Sequence, residues 1–191
     1  TFRRELEVNG YAEGWAVYAE YLAWEMGLYE DDPRANLGRL DFELSRAARL
    51  VVDTGIHAKG WTRQEAATYY EEATGRPSSP SAMDRYVILP GQGCGYTVGL
   101  LKILELRQQA MDRLGDQFDI KAFHDLILGN GPLPLEILEK VVGDWIAETK
   151  GSMVEYGQEA QGVVKRWLAS EKQQRSSRDD GKRRPGIPGP T

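Results

Sequence analysis

Residues 34–59 read RANLGRLDFELSRAARLVVDTGIHAK, a long run without an internal proline. Apolar residues return every three or four positions along it, which is the spacing of one face of an α-helix. The segment therefore predicts a long amphipathic helix that begins after Asp31-Asp32-Pro33, ends at Gly60 and buries one broad apolar arc. The residues of that arc are Leu37, Leu40, Leu44, Ala47, Ala48, Val51 and Val52.

Helical patterns also fill the chain on both sides of this segment. Thr62 and Glu65 have the spacing of a capping box, in which each side chain accepts a backbone N–H of the other residue. No stretch alternates with a period of two, so the predicted fold class is all-α, without an internal repeat. The other predicted helices cover Gly10 to Leu28, Thr62 to about Thr74, about Ser81 to Leu89, Tyr96 to Leu114, Asp119 to Leu128, and Leu135 to Thr149.

The domain organisation follows from where these patterns stop. Residues 1–150 are predicted to form one helical domain, and residues 151–169 are a candidate extra helix that Gly157 and Gly162 weaken. Residues 170–191 are basic and almost without large apolar side chains, which predicts a disordered tail.

The composition narrows the classes of partner. The net charge of -5 argues against nucleic acid as the main partner, because phosphate binding needs clustered basic residues. No apolar stretch is long enough to predict a membrane-spanning helix. A single cysteine, Cys94, excludes an intramolecular disulfide framework and a cysteine-based zinc cluster. The sequence opens on Thr1 rather than Met, so we expect an upstream part to be missing, and the compartment stays open between cytoplasmic and exported.

The first predicted helix carries two acidic residues on one face. Glu13 and Glu20 lie two turns apart among Ala, Trp and Tyr residues. Carboxylates are costly to bury unless they are paired, protonated or bound to a metal. Three interpretations follow: a solvated face, pairing of each glutamate with an arginine of the next helix, or a metal site.

The long helix carries a polar stripe opposite its apolar arc. Arg46, Arg49, Asp53 and His57 follow one another at intervals that keep them on one side of a helix. Asp53 could hold the imidazole of His57 in one tautomer, as carboxylates do around catalytic or metal-binding histidines. Equally, the stripe could be the solvated side of the helix, with His57 serving only as a favourable charge near the C-terminus.

A glycine-rich stretch precedes the helix that is predicted from Tyr96. Gly91-Gln92-Gly93-Cys94-Gly95 could offer free N–H groups to an anion. The stretch lacks the lysine and the spacing of a nucleotide-binding loop, so we interpret it as a flexible helix start.

Four short words in series resemble one bacterial family, the domain of unknown function 885. The resemblance covers about residues 9–149 and implies a large helical fold similar to zinc metallopeptidases of the His-Glu-x-x-His type. The words are Glu13-Gly14-Trp15-Ala16, Arg46-Ala-Ala-Arg49-Leu-Val-Val-Asp53-Thr-Gly-Ile-His57, Arg85-Tyr86 with Pro90-Gly91-Gln92, and Phe123-His124-Asp125.

The resemblance assigns roles to particular residues. In such peptidases two histidines and a catalytic glutamate share one helix, and a glutamate from a later helix completes the zinc site; Glu13 matches that later glutamate. Three protein ligands leave one zinc position open for water, which the metal acidifies. His57 and Tyr96 match catalytic positions that could steady an oxyanion. The matching substrate-binding positions are Arg49, Asp53, Arg85 and Tyr86.

One part of the family pattern is absent from this sequence. The chain has two histidines, His57 and His124, and no His-Glu-x-x-His motif. The resemblance therefore implies the C-terminal part of a zinc-dependent peptidase or amide hydrolase, one that supplies the third zinc ligand and part of the cleft for a peptide or small amide. Without the N-terminal half we expect no tight zinc binding and no hydrolysis. The alternative is a helical binding or interaction module without catalytic activity.

Overall fold

The computed structural model describes residues 8–151 and Lys165. The chain divides into two units, Thr1–Ile146 and Ala147–Thr191. In the second unit residues 147–151 and Lys165 are helical, and the rest of that unit lies outside the described residues. The candidate extra helix over 151–169 and the predicted tail over 170–191 therefore remain predictions.

The first unit is built from helices, which confirms the all-α prediction. No strand occurs in the part of the chain that the structure describes. The helices are α1 (Asn9–Glu25), α2 (Pro33–Lys59), α3 (Arg63–Thr74), α4 (Pro80–Ile88), α5 (Gln92–Leu114), α6 (Ile120–Gly129) and α7 (residues 135–151), with a 3₁₀ turn at Gly115–Gln117.

Local capping signals fix several helix starts. The side chain of Asp32 accepts the N–H groups of Arg34 and Ala35 at the start of α2. Thr62 and Glu65 form the predicted capping box at the start of α3. The exception is α5, which begins at Gln92, four residues before the predicted start at Tyr96.

Glycines allow α1 and α5 to cross with their backbones in contact. A Cβ added at Gly14 would clash with the backbone of Gly99 and come within 2.9 Å of the nitrogen of Leu100. A Cβ at Gly99 would in turn clash with the carbonyl oxygen of Gly10. Gly14 therefore sets the closest approach of the two helices. Glu13 is the residue immediately before it on α1, so its position depends on this contact.

Two apolar clusters stabilise this arrangement. The larger one joins α1, α5, α6 and α7, and the smaller one joins α2, α3 and α4. Burial of their side chains is the main favourable term in the folding of the unit. The larger cluster includes Tyr18, Ile103, Leu106, Phe123, Ile127, Leu138 and Val142, and the smaller one consists of Val52, Ala66, Met83 and Tyr86.

The apolar arc that the sequence predicts for α2 is only partly buried. Ala48 and Val52 are buried, but Leu37 is 66% exposed and Leu44 is 45% exposed. Leu40 and Ala47 are exposed as well. The prediction is wrong for the first half of the helix because the buried residues of α2 begin only at Ser45. Likewise Leu101 of α5, which has the same apolar character as its buried neighbours, is 59% exposed.

No single helix among the described residues is both long and apolar enough to cross a bilayer. Together, α4 and the segment Gln92–Gln117 reach the required length and composition, as a pair bent by 79°.

We predict that Gly14→Ala destabilises the protein by about 1–3 kcal/mol, because the added methyl group must push α1 away from α5. Thermal and urea unfolding of the 191-residue chain measure the change. Gly143→Ala is the matched control, since a Cβ at Gly143 meets nothing within 4 Å. The control should be neutral or stabilising by up to about 1 kcal/mol, as alanine favours helix over glycine. Equal effects of the two substitutions would contradict the close-contact interpretation.

Candidate functional site

The first turn of α5 is held by side chains from two other helices. Both carboxylate oxygens of Asp53 accept the N–H of Gly91, at 3.0 and 3.1 Å, and one also accepts the N–H of Gly93 at 3.2 Å. From the other side, Asn9 donates its Nδ2 protons to the carbonyl oxygens of Gly91 and Gln92. This turn is therefore an ordered part of the fold and not a flexible helix start. Two of the N–H groups that could have held an anion are used by the protein's own carboxylate.

These contacts also correct the expected pairing of Asp53 with His57. Asp53 is buried and spends its oxygens on the α5 turn, where unpaired N–H groups need an acceptor. The Nε2 atom of His57 instead lies 2.8 Å from the carbonyl oxygen of Tyr86, so this nitrogen donates to the backbone. His57 is exposed, and this hydrogen bond links it to the backbone of Tyr86.

Glu13 and Tyr96 are joined by one amide side chain. The Nε2 group of Gln92 donates one hydrogen bond to Glu13 Oε1 and another to Tyr96 Oη, each at 3.2 Å. All three side chains are half-buried. Because the hydroxyl oxygen of Tyr96 accepts from Gln92, its own proton stays available for another acceptor. Sequence reasoning placed Gln92 in a family word but gave it no role, since nothing in a single sequence brings it to Glu13.

Two arginines of α2 lie against the ring of Tyr96. The guanidinium carbon of Arg49 is 5.6 Å from the ring centroid, and that of Arg46 is 5.8 Å away. Arg46 also forms a two-point ion pair with Glu20, with N–O distances of 2.7 and 2.8 Å. For Glu20 this confirms the expected pairing with an arginine of the next helix. Arg46, Arg49 and Asp53 of the polar stripe thus face α1 and α5, whereas His57 at its end is exposed.

Within the part of the chain that the structure describes, Arg49 is a cation without a carboxylate partner. Its Nε atom is buried and has no hydrogen-bond partner, and among the described residues no acidic oxygen lies within ion-pair distance of its guanidinium group. Buried charged atoms in native proteins are normally paired, so this arginine is an exception that needs a physical account.

Tyr86 lies next to this arginine in the smaller core cluster. Burial raises the pKa of Tyr86, and the nearby positive charge of Arg49 opposes that rise. Arg85, the preceding residue, is exposed and also lowers the pKa of Tyr86 through its charge. The structure therefore groups Glu13, Arg49, Tyr86 and Tyr96, with Arg85 at the exposed edge.

A metal ion would find one suitable ligand here. Among the described residues no three His, Cys, Asp or Glu side chains lie together in a way that could hold a metal. Glu13 alone has the character of a ligand, because its carboxylate is half-buried and is oriented by a neutral amide that consumes only one of its oxygens. A carboxylate oxygen is one of the ligand types that zinc accepts in proteins.

Open grooves on the surface lie at other places. A groove of about 740 Å³ includes Tyr21, Trp24 and Tyr29, and a second of about 510 Å³ includes Leu101 and Arg107. A third, of about 410 Å³, includes Glu20 and Arg46 and so reaches the ion pair beside Tyr96. None of these three grooves includes Glu13.

A separate polar cluster lies between α1, α5 and α6. Tyr18 is fully buried, and its hydroxyl group lies 2.8 Å from Nε2 of His124. Arg107 donates to the same hydroxyl oxygen at 3.4 Å and is paired with Glu25 at 2.6 Å. The hydroxyl group of Tyr18 therefore accepts from Arg107 and shares a second hydrogen bond with the imidazole, whose direction depends on the tautomer of His124. Burial first, and then the charge of Arg107, lower the pKa of His124 below its ordinary value.

We predict that His124 makes the protein less stable in mild acid. Its folded-state pKa is lowered, so its contribution is complete above about pH 6.5, the ordinary histidine value, and is lost as the pH falls through that value, where only the unfolded chain takes up a proton. In His124→Gln this loss should disappear. Urea unfolding of parent and variant between pH 8 and pH 5 measures it, and the pH 8 difference isolates the effect that does not depend on protonation. Identical pH dependence in both proteins would show that His124 is not responsible.

The family to which this all-α chain belongs follows from a comparison with known proteins. A family model described as "Bacterial protein of unknown function (DUF885)" matches residues 1–142. The chain therefore belongs to this family, as its four sequence words predict. No protein among those with curated descriptions matches.

A solved structure extends the comparison. The chain is 51% identical to a protein described as "the putative lipoprotein from Colwellia psychrerythraea", with a TM-score of 0.73. The match covers 76% of this chain and 25% of that protein. The chain thus spans about a quarter of the length of this relative.

Proposed function

We propose that this chain is the C-terminal part of a zinc-dependent peptidase or amide hydrolase, in which Glu13 is the third zinc ligand. The observation that carries the proposal is the link Glu13–Gln92–Tyr96, in which one amide orients both a carboxylate and a tyrosine hydroxyl. Metal-binding side chains in enzymes are commonly held by such outer hydrogen bonds. The resemblance of the Glu13-Gly14-Trp15-Ala16 word to the later glutamate of His-Glu-x-x-His zinc peptidases supports the same assignment.

The side chains of this chain would have distinct tasks. A bound zinc ion supplies a polarising charge and an acidified water molecule. Glu13 contributes a negatively charged ligand, and Gln92 fixes the orientation of its carboxylate. Tyr96 keeps its proton free because its oxygen accepts from Gln92, so it can donate to the oxygen on which negative charge develops during amide hydrolysis.

The other predicted catalytic residue, His57, has a less direct part in this proposal. It binds the backbone of Tyr86 and so supports the segment that carries Tyr86 and Arg85. We therefore propose a positioning role for His57. Peptides or small amides would lie along Tyr96 and Arg49, with Asp53 acting through the α5 turn that it holds.

A second candidate is a helical binding module without catalytic activity. In this alternative the chain keeps the helical fold and the polar side chains around Tyr96 but has no part in a reaction. The two candidates differ in metal content and in turnover, so the following measurements separate them.

The first test is zinc analysis of the protein expressed from its complete gene. We predict about one zinc per chain in the parent and a loss in Glu13→Gln that exceeds the roughly 10- to 100-fold affinity cost of removing an outer hydrogen bond. Gln92→Leu should show that smaller cost, because it releases the carboxylate without removing it. Glu72→Ala, an exposed acid on α3, is the control and should keep the parent's zinc. A well-folded parent without zinc would favour the binding module.

The second test concerns Tyr96. In Tyr96→Phe we predict a fall in kcat of about 100- to 1,000-fold with unchanged zinc content, since only the proton donor is lost. Hydrolysis of a panel of short peptides by the complete protein measures kcat. An unaltered kcat would remove Tyr96 from the catalytic group and leave it as a packing residue.

A further inference from the structure

The site contains one charged group whose purpose the zinc site does not explain. Arg49 has a buried, unpartnered Nε atom, although two other arginines on the same helix are paired, Arg39 with Glu43 and Arg46 with Glu20. The nearest acid along the helix, Asp53, is committed to the N–H groups of Gly91 and Gly93. An arginine at this position therefore has positive charge and hydrogen-bond donors to offer to a partner that is not among the described residues.

The surroundings of Arg49 restrict what that partner can be. The guanidinium group lies on the ring of Tyr96, which orients this planar group without neutralising its charge. A planar guanidinium group matches a carboxylate with two parallel hydrogen bonds. The buried side of the site is apolar, through the core cluster that contains Tyr86, so a ligand with a carboxylate and an apolar body fits better than a strongly hydrated ion.

The position of Arg49 relative to Glu13 further restricts which ligand Arg49 can bind. Arg49 contacts the face of Tyr96, and Glu13 is connected to the hydroxyl of the same ring through Gln92. A carboxylate on Arg49 would therefore lie within one tyrosine side chain of the proposed metal ligand. Every peptide carries one carboxylate at its C-terminus, so binding that group to Arg49 would place a bond near the C-terminal end beside Glu13.

We propose that Arg49 binds the C-terminal carboxylate of a peptide substrate, so that the protein releases residues from the C-terminal end. This inference rests on the proposed function. In the reaction the peptide C–N bond breaks and a C–O bond to a water oxygen forms. One water proton goes to the nitrogen of the departing amine, and the other is released when the new carboxylic acid ionises. The products are a shortened peptide with a new carboxylate and a free amino acid or short peptide. Arg49 keeps its proton throughout and contributes binding and orientation.

The first experiment measures binding without turnover. The complete protein is titrated in a calorimeter with N-acetylated alanine, leucine and phenylalanine, and with their amides, which lack the negative charge. The parent should bind at least one acid about 10- to 100-fold more tightly than its amide, which is the range of a charge-assisted hydrogen-bonded pair. In Arg49→Met this preference should vanish while binding of the amide stays unchanged.

Matched variants separate binding from folding. Arg49→Lys keeps the charge but loses the two-point geometry, so it should retain only part of the preference. Arg39→Met removes a paired arginine from the same helix and should keep the full preference, whatever it costs in stability. The proposal is overturned if the parent does not distinguish acid from amide, if it binds neither, or if Arg49→Met weakens both equally. Equal weakening would assign Arg49 to an internal carboxylate elsewhere in the complete protein.

The second experiment measures kcat/KM for one peptide with a free and with an amidated C-terminus. The free acid should be the better substrate in the parent, and the two should become equal in Arg49→Met. If neither peptide is cleaved while the binding preference persists, the hydrolase proposal fails and the carboxylate site stands. If both peptides are cleaved equally by the parent, the hydrolase stands and the carboxylate site fails.

Discussion

The backbone contact between α1 and α5 is the constraint on which the other features depend. Gly14 and Gly99 bring the two helices so close that neither position tolerates a Cβ. This approach places Glu13 beside the first turn of α5, where Gln92 reaches it. Burial alone could hold two helices together at many separations, but side-chain hydrogen bonds of about 3 Å require one separation. The glycine contact supplies it.

The sequence predicted most of the helices because their signals are local. These signals are Asp32 and Pro33 at the start of α2, the Thr62–Glu65 capping box and Asp119. Each acts within one helical turn, so it can be recognised without knowledge of the fold. The start of α5 was missed for the opposite reason. Its first turn has no side-chain cap of its own and is completed by Asp53, which lies 38 residues before Gly91.

The polar side of α2 shows why the site was harder to predict than the fold. Helical spacing correctly put Arg46, Arg49 and Asp53 on one side, yet spacing does not state which side is buried. The predicted apolar arc depended largely on Leu37, Leu40 and Leu44 in the first half of α2, and all three are exposed. Which neighbouring helix each arginine meets depends on the tertiary packing, and the same holds for the role of Gln92.

The hydrogen bonds between Asp53 and the first turn of α5 also offer a way to follow the opening of the helix packing. The amide hydrogens of Gly91 and Gly93 are bonded to Asp53 of a distant helix, not to the carbonyl groups of their own helix. Fraying of a helix end normally exposes such amides to solvent exchange at little cost, whereas these two exchange only when α2 separates from α5. Their protection against deuterium therefore measures the opening of the helix packing at the site itself, separately from the unfolding of any single helix.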